Sequence, residues 1–490
     1  MTVSARAVDM LGRQQIAGIP TAIHELFKNA HDAYAQNVEI DYFRDQNLFT
    51  LRDDGVGMTE NDFISKWLTI GTSSKYGLNR KSEYIPEGMI ERKLMGEKGI
   101  GRLAIASIGR QVIVLSRAER ADGLHDLVVA LVHWAQFEIP EISISDIVIP
   151  TRTFPKGILP NNTDIQSMVE ELITNLKELG NKVPSDYMDL IVQDSKKLTF
   201  SPQILFNNLH KESTENWQRA LDAGDISEIN IPPLLDGLGR GTHFIIMPCD
   251  ETLNSDIKTN DIGTTELQKI LVGFSNSLVS QKRFSLSTKF RLHQGTADPE
   301  ELIEDGFFTL EDAMSADHYI EGKFDEYGQF KGAVTVYKGE AQEHIINWNE
   351  SYGAKTRCGP FKIKFSYLQG TPSESLVPTQ IYTDIKTKLG MYGGLYLYKD
   401  GIRVLPYGKQ EFDFLKFEEK RTKRAATAFF SYRLMFGAID IEHEKNKNLI
   451  EKAGREGLIE NLAYREFKGI LENFFDQLAA DFFRDSSTND

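Results

Sequence analysis

The stretch His24-Glu-Leu-Phe-Lys-Asn-Ala-His-Asp-Ala-Tyr-Ala35, "HELFKNAHDAYA", decides how the rest of the chain is read. It has the pattern of an amphipathic helix. At roughly 100° per residue, with Glu25 at zero, Asn29 falls near 40° and Asp32 near −20°. Leu26, Phe27, Ala30 and Ala33 fall between about 80° and 200°, which makes one packing stripe. Beside it runs a second stripe carrying a carboxylate, an amide and another carboxylate. Taken alone, that stripe reads as a solvated face.

Outward from this helix, the chain reads as a large soluble protein. It has 490 residues, 41% hydrophobic and 26% charged, which suits two to four domains. No run approaches the length of a membrane span. "MTVSARAVDMLGRQQ" has no apolar core, so no signal peptide is expected. Cys249 and Cys358 have no metal-ligand neighbours and form no disulfide framework, so a reducing cytoplasm is the expected compartment. The net charge of −15 argues against a generally basic nucleic-acid binder. It leaves room for a local patch such as "KFEEKRTKR" (416–424), although that cluster by itself reads as a solvated helix face.

Residues 5–36 read as helical, with an interruption near Gly18-Ile19-Pro20. "NVEIDYF" and "LFTLRDDG" alternate apolar and polar residues and read as a hairpin. A helix capped by Thr59 is expected over 59–70, followed by a polar, glycine-rich stretch with a helix starting at its end. "QVIVLSRAE", "HDLVVALVHW", "EISISDIVI" and "GRGTHFIIMP" read as strands. Helical periodicity over about 160–230 reads as an insertion between two strands of one sheet. After about 260 the texture is mixed. "ELQKILVGFSNSLVS" reads as helix, "GAVTVYKG" and "FKIKFSYL" as strands, and "GGLYLYKDGIRVLPYG" as a hairpin turned at Asp400-Gly401. A long amphipathic helix is expected over 455–485.

Four elements line up in order: the helix with Glu25, Asn29 and Asp32; "DDGVGM" (53–58); "GEKGIG" (96–101); and "RGT" (240–242). Each alone is weak. Together their chemistry is specific. Glycines before a helix let backbone N–H groups approach phosphate. An asparagine carbonyl suits Mg²⁺. A carboxylate beside a tight glycine turn can accept from an exocyclic amine. A glutamate one turn before the metal ligand can polarise water.

This set resembles the GHKL ATPase superfamily of DNA gyrase, the ninety-kilodalton heat-shock chaperones, MutL and histidine kinases. The resemblance covers roughly residues 10–150 and 235–250. It implies an α+β fold: an N-terminal Bergerat-type ATP-binding α/β sandwich over 1–255, with the helical insertion at about 160–230, then a mixed α/β transducer-like domain over 256–490. It implies ATP and Mg²⁺ as cofactors, Glu25 as general base and Asn29 as metal ligand. Asp32 would support the nucleotide pocket, and Asp53 would bind the adenine amino group. Asp54 takes the variable position, Gly55 and Gly57 shape the turn, and Met58 follows it. Ser73 and Lys75 in "IGTSSK" would belong to the start of an ATP lid like that of the chaperone and MORC branches. Gly96, Lys98, Gly99, Ile100 and Gly101 would form the phosphate-binding box, and Thr242 would stand beside Asp53. Arg455 in "KAGREGLIEN" is a candidate γ-phosphate sensor, in competition with Lys445 and Lys447 and with the plainer reading of exposed charges before a helix cap.

Only 24 residues precede Glu25, and His24 adjoins the box, so the kinase branch fits poorly. Members of the hydrolysing branch work as homodimeric clamps on a protein or DNA client. The lid and length look closest to stand-alone bacterial chaperone- or MORC-like ATP-binding proteins, with defence or DNA processing as an analogy. The alternative is a low-turnover nucleotide-binding sensor that regulates a separate effector.

Overall fold

The N-terminal helical stretch forms in two pieces, α1 (Arg6–Leu11) and α2 (Ile19–Asp32). Gly18, at φ 85°, separates them, and Pro20 sits in the first turn of α2, where its missing N–H costs nothing. The computed structural model describes residues 3–69, 84–95, 101–211, 232–259, 263–279, 286–303, 306–423, 429–452, 454 and 456–483. They divide into two compact units, Met1–Asp256 with Ser285–Glu304, and Ile257–Phe284 with Asp305–Asp490.

In the first unit, β1 (Asn37–Phe43) and β2 (Leu48–Asp53) form the expected hairpin, with Val38 opposite Asp53 and Asn47 at φ 50° in the turn. They join β3 (Gln111–Arg120), β4 (Gly123–His133), β5 (Thr151–Phe154), β6 (Gly241–Ile246), β7 (Ser287–His293) and β8 (Glu300–Glu301). The strand order is β5-β4-β3-β6-β2-β1-β7-β8. All neighbours are antiparallel except β1 and β7, which run parallel. The sequence pattern assigns the residues of β7 to the second region; in the structure they extend the first unit's sheet. It also expected a strand at "EISISDIVI". Instead the Asp146 carboxylate accepts from the Ser143 N–H at 2.8 Å and its hydroxyl at 3.0 Å. This local bonding closes a 3-10 turn over Ile144–Asp146, and the strand starts later, at Thr151.

Between β5 and β6 run α3 (Asn162–Glu178), α4 (Ser185–Ser195) and helical residues 202–211. Ile165, Met168, Leu172 and Ile191 pack into one cluster with Ile113, Leu115, Leu127, Val129 and Ile245 of the sheet. Strand alternation sends Val112, Val114, Ser116, Thr242 and Asp53 to the opposite face.

The second unit holds a seven-stranded sheet of order β11-β10-β9-β12-β15-β13-β14. Its strands are β9 (His318–Phe324), β10 (Phe330–Thr335), β11 (Gln342–Ile346), β12 (Phe361–Tyr367), β13 (Gly394–Lys399), β14 (Ile402–Arg403) and β15 (Met435–Ile441). Asp400 and Gly401 turn the β13–β14 hairpin at φ 50° and 88°, the left-handed pair that matches strand twist. Two helices stand out, α5 (Thr379–Tyr392) and the terminal α6 (Leu462–Phe482). α6 starts only at its Asn461 cap, whose side chain accepts from the Tyr464 N–H at 2.9 Å. Its Phe467, Phe474 and Phe475 pack with Phe361 and Phe365 in an aromatic core. In "ELQKILVGFSNSLVS" the helix covers only Glu266–Leu271, because Val272 is extended and Gly273 sits at φ 72°. Among the described residues, no helix is long and apolar enough to cross a membrane.

Candidate active site

The polar stripe of α2 is not a solvated face. Glu25 and Asp32 are only 4% and 7% exposed, while Asn29 is half-buried. A buried carboxylate needs partners. Lys28, which the sequence reading passed over, is buried as well and brings its Nζ to 3.3 Å from Glu25 Oε1. Asp32 Oδ1 accepts the Met95 N–H at 2.7 Å. It thereby ties the residue just before the glycine box to the end of α2. Arg92 reinforces that tie. Its Nη1 donates to the carbonyls of His31 (3.2 Å) and Ala35 (2.7 Å), and its N–H donates to the Tyr34 hydroxyl at 3.2 Å. A cation over the open carbonyls of a helix C-terminus also suits the helix dipole.

Asp53 ends β2. Its Oδ1 accepts from the Gly55 N–H at 2.9 Å and the Thr242 N–H at 3.2 Å. Among the described residues nothing hydrogen-bonds Oδ2, so one oxygen is held and the other is free to accept. Burial pushes this carboxyl up to about 7, the two N–H groups pulling against it. Thr242 Oγ1 lies 2.9 Å from the Ser116 hydroxyl, and Ser116 Oγ also accepts the Met58 N–H at 2.9 Å. Thr242 pairs with Asp53 on one side and with Ser116 on the other, so three strands bring these side chains to one place. Ser116 was not foreseen. Its only sequence signal is a lone hydroxyl in the apolar run "VIVLS".

The "DDGVGM" loop is fixed from several sides. Asp54 accepts from the N–H groups of Gln36 (2.7 Å) and Asn37 (2.9 Å) and from the Asn37 amide (2.8 Å), so the variable position anchors the loop to β1. Arg120 donates to the carbonyls of Val56 (2.9 Å) and Gly57 (3.1 Å) and to Asp62 (2.6 Å). Gly57 has φ 59°, and a Cβ there would run into the Arg117 carbonyl, so both geometry and space require glycine.

The expected site residues Ser73, Lys75, Gly96, Lys98, Gly99, Ile100 and Arg455 lie outside the described residues. Gly101 opens a 3-10 helix over Gly101–Ser107. Lys447 is exposed in the second unit, and Lys445 there pairs with Glu442 at 2.9 Å. The described part of the basic cluster, 416–423, is ion-paired: Lys416 and Lys423 with Glu419, Lys420 with Glu472 and Arg421 with Glu418. Among the described residues, no group of three or more His, Cys, Asp or Glu side chains is placed to hold a metal ion.

Residues 18–144 match the family model described as histidine kinase-, DNA gyrase B-, and HSP90-like ATPase. The matched segment carries Glu25, Asn29 and Asp53, and the match supports the GHKL ATPase superfamily. The chaperone protein HtpG of Salinispora arenicola (strain CNS-205) is 30% identical over 90 residues, 18% of this chain. The match spans 14% of that relative's length. A solved structure titled as the N-terminal domain of a DNA repair protein has a TM-score of 0.43 at 10% identity, covering 97% of this chain and 99% of that one.

Proposed function

We propose that the chain is a Mg²⁺-dependent ATPase that binds adenine through Asp53 and activates water through Glu25. The observation that carries this reading is the buried Asp53 carboxylate, with Oδ1 fixed by two backbone donors and Oδ2 left to accept from an amine. Thr242 and Ser116 would complete the base-binding corner. Asn29, the half-buried member of the α2 stripe, would hold the magnesium ion together with phosphate oxygens and water. That ion would supply charge neutralisation on the phosphates. Glu25 sits one helical turn away with its carboxylate oriented by Lys28. Asp32 and Arg92 would fix the approach to the phosphate-binding box. The family's behaviour supports a dimeric clamp or switch in which ATP closes the lid and joins two copies, acting on a protein or DNA client. Lys447 and Arg455 are the second unit's candidates for the γ-phosphate.

Asp53→Asn replaces one acceptor oxygen with a donor amide and is expected to weaken ATP binding by about 1–3 kcal/mol. Titration calorimetry measures it, and an unchanged affinity would remove Asp53 from the site. The pH dependence has a definite sign. An amine donates to the ionised carboxylate, so the affinity for adenosine, which carries no titrating phosphate, should rise as pH passes upward through about 7. The rise should vanish in Asp53→Asn.

Small-angle scattering tests the clamp. A saturating non-hydrolysable ATP analogue is expected to compact the particle or double its mass. Superimposable profiles with and without the analogue would count against gating.

A further inference from the structure

Strand alternation gives each residue of the base-binding corner a chain neighbour on the other face of the sheet. Arg52 precedes Asp53, His243 follows Thr242, and Arg117 follows Ser116. All three meet the chain that runs between β5 and β6. Arg52 and His243 line a small pocket with Leu159, Phe206 and Leu235, and the Phe206 ring meets the His243 ring edge-on at 5.1 Å between centroids. His243 is 1% exposed, and its ring nitrogens have no hydrogen-bond partner among the described residues, so packing holds it.

Arg117 adds a polar grip. It is 4% exposed, and its Nη1 donates to the carbonyls of Leu235 (2.9 Å), Gly237 (2.8 Å) and Gly239 (3.2 Å), while Nε donates to the His125 carbonyl at 3.0 Å. A Cβ at Gly157 would come within 2.6 Å of this guanidinium, so the site is shaped closely around it. The last clamped carbonyl, Gly239, is three residues from Thr242, whose N–H orients Asp53. Gly241 lies between, at φ 128° and against the Asp53 carbonyl with no room for a Cβ. Movement at 235–239 therefore passes into the Asp53–Thr242 pair through a short segment with little slack.

We propose that Arg117 is a positioning residue for base recognition: its grip on the carbonyls of 235–239 sets the entry into β6, and through Thr242 the orientation of Asp53. The helical excursion between β5 and β6 thereby tunes which purine the site accepts. The proposal rests on the reading of Asp53 as the adenine-binding residue. Guanine presents a carbonyl where adenine presents its amine, so a well-aimed carboxylate rejects it and a misaimed one discriminates less.

The test is the affinity of the full chain for non-hydrolysable ATP and GTP analogues by calorimetry. Arg117→Gln is expected to weaken the ATP analogue about tenfold, the worth of one well-placed hydrogen bond, and to change the GTP analogue much less. Arg117→Lys keeps the charge but has three donors against five, so it should fall between. It also serves as the deciding variant if Arg117→Gln does not fold, which thermal melts reveal. A variant that melts earlier yet keeps the wild-type ATP-to-GTP ratio overturns the proposal and leaves Arg117 structural. A wild-type chain with no preference for the adenine analogue would instead overturn the reading of Asp53.

Discussion

Glu25→Ala is expected to bind ATP and to hydrolyse it about 10²- to 10⁴-fold more slowly than the wild type, the usual worth of a positioned general base. Glu25 stands on the stripe of α2 that also presents Asn29, and it is buried at 4% exposure with Lys28 Nζ at 3.3 Å. That burial shapes the experiment. Truncation leaves the Lys28 ammonium facing an emptied position, so part of any loss could come from the helix rather than from chemistry. Glu25→Gln, which keeps the volume and an acceptor oxygen, isolates the base. Both variants should retain nucleotide affinity, and both should fail in turnover. Asn29→Ala should separate from them by weakening Mg²⁺-ATP binding as well as turnover. Wild-type hydrolysis by Glu25→Gln, in a preparation free of contaminating ATPase, would end the assignment. Lost binding in Glu25→Ala with intact binding in Asn29→Ala would mean that the two roles are exchanged.

Features fixed by local chemistry were the ones readable from the residues. The α2 periodicity, the β1–β2 hairpin, the Thr59 cap, whose hydroxyl accepts the Asp62 N–H at 3.1 Å, and the Asp400-Gly401 turn each need only neighbours in sequence. So does Gly57, although the Arg117 carbonyl that forbids a side chain there comes from another strand. Features made by distant partners stayed hidden. Ser116 meets Thr242 because β3 and β6 pair in one particular register across 126 residues. Arg92 holds the end of α2 from 57 residues downstream of Ala35. β7 joins β1 through pairing that no local pattern announces. At "EISISDIVI" alternation favoured a strand, and the Ser143–Asp146 bonding displaced it, a case of side chains competing with the ladder for backbone groups. The α2 stripe carries the same lesson in reverse. Periodicity placed Glu25, Asn29 and Asp32 together but could not say whether water or protein faced them.

The parallel β1–β7 junction gives the largest expected effect on stability. Asp41 is fully buried at its centre. Arg291 donates to it through Nε at 2.7 Å, Arg52 through Nη2 at 3.0 Å, and His293 Nε2 lies 2.9 Å away. Arg291 Nη2 also donates to Asp41 at 3.1 Å, and Glu39 accepts from both arginines, at 2.8 Å from Arg52 and 2.6 Å from Arg291. Two carboxylates thus balance two guanidinium groups, with Arg52 buried and Arg291 17% exposed. Asp41→Ala leaves both arginines to Glu39 alone, and breaking a buried ionic group in this way costs about 3–5 kcal/mol. At about 2–4 °C per kcal/mol, the melting temperature should fall by roughly 6–20 °C at neutral pH. The pH dependence follows from the carboxyl itself. Burial alone would raise its pKa, but Arg52, His293 and Arg291 together overcome this and hold it far below the usual carboxylate range. A depressed folded-state value stabilises the protein fully above the unfolded pKa of about 3.9, and that stabilisation drains away as pH falls from there toward the depressed folded-state value. The gap in melting temperature between wild type and Asp41→Ala should therefore be widest near neutrality and should narrow below about pH 4. A variant that melts within about 2 °C of wild type at pH 7 would show that water, not this network, satisfies the arginines, and that β7 is held to β1 by its backbone ladder and its apolar Phe290 and Leu292.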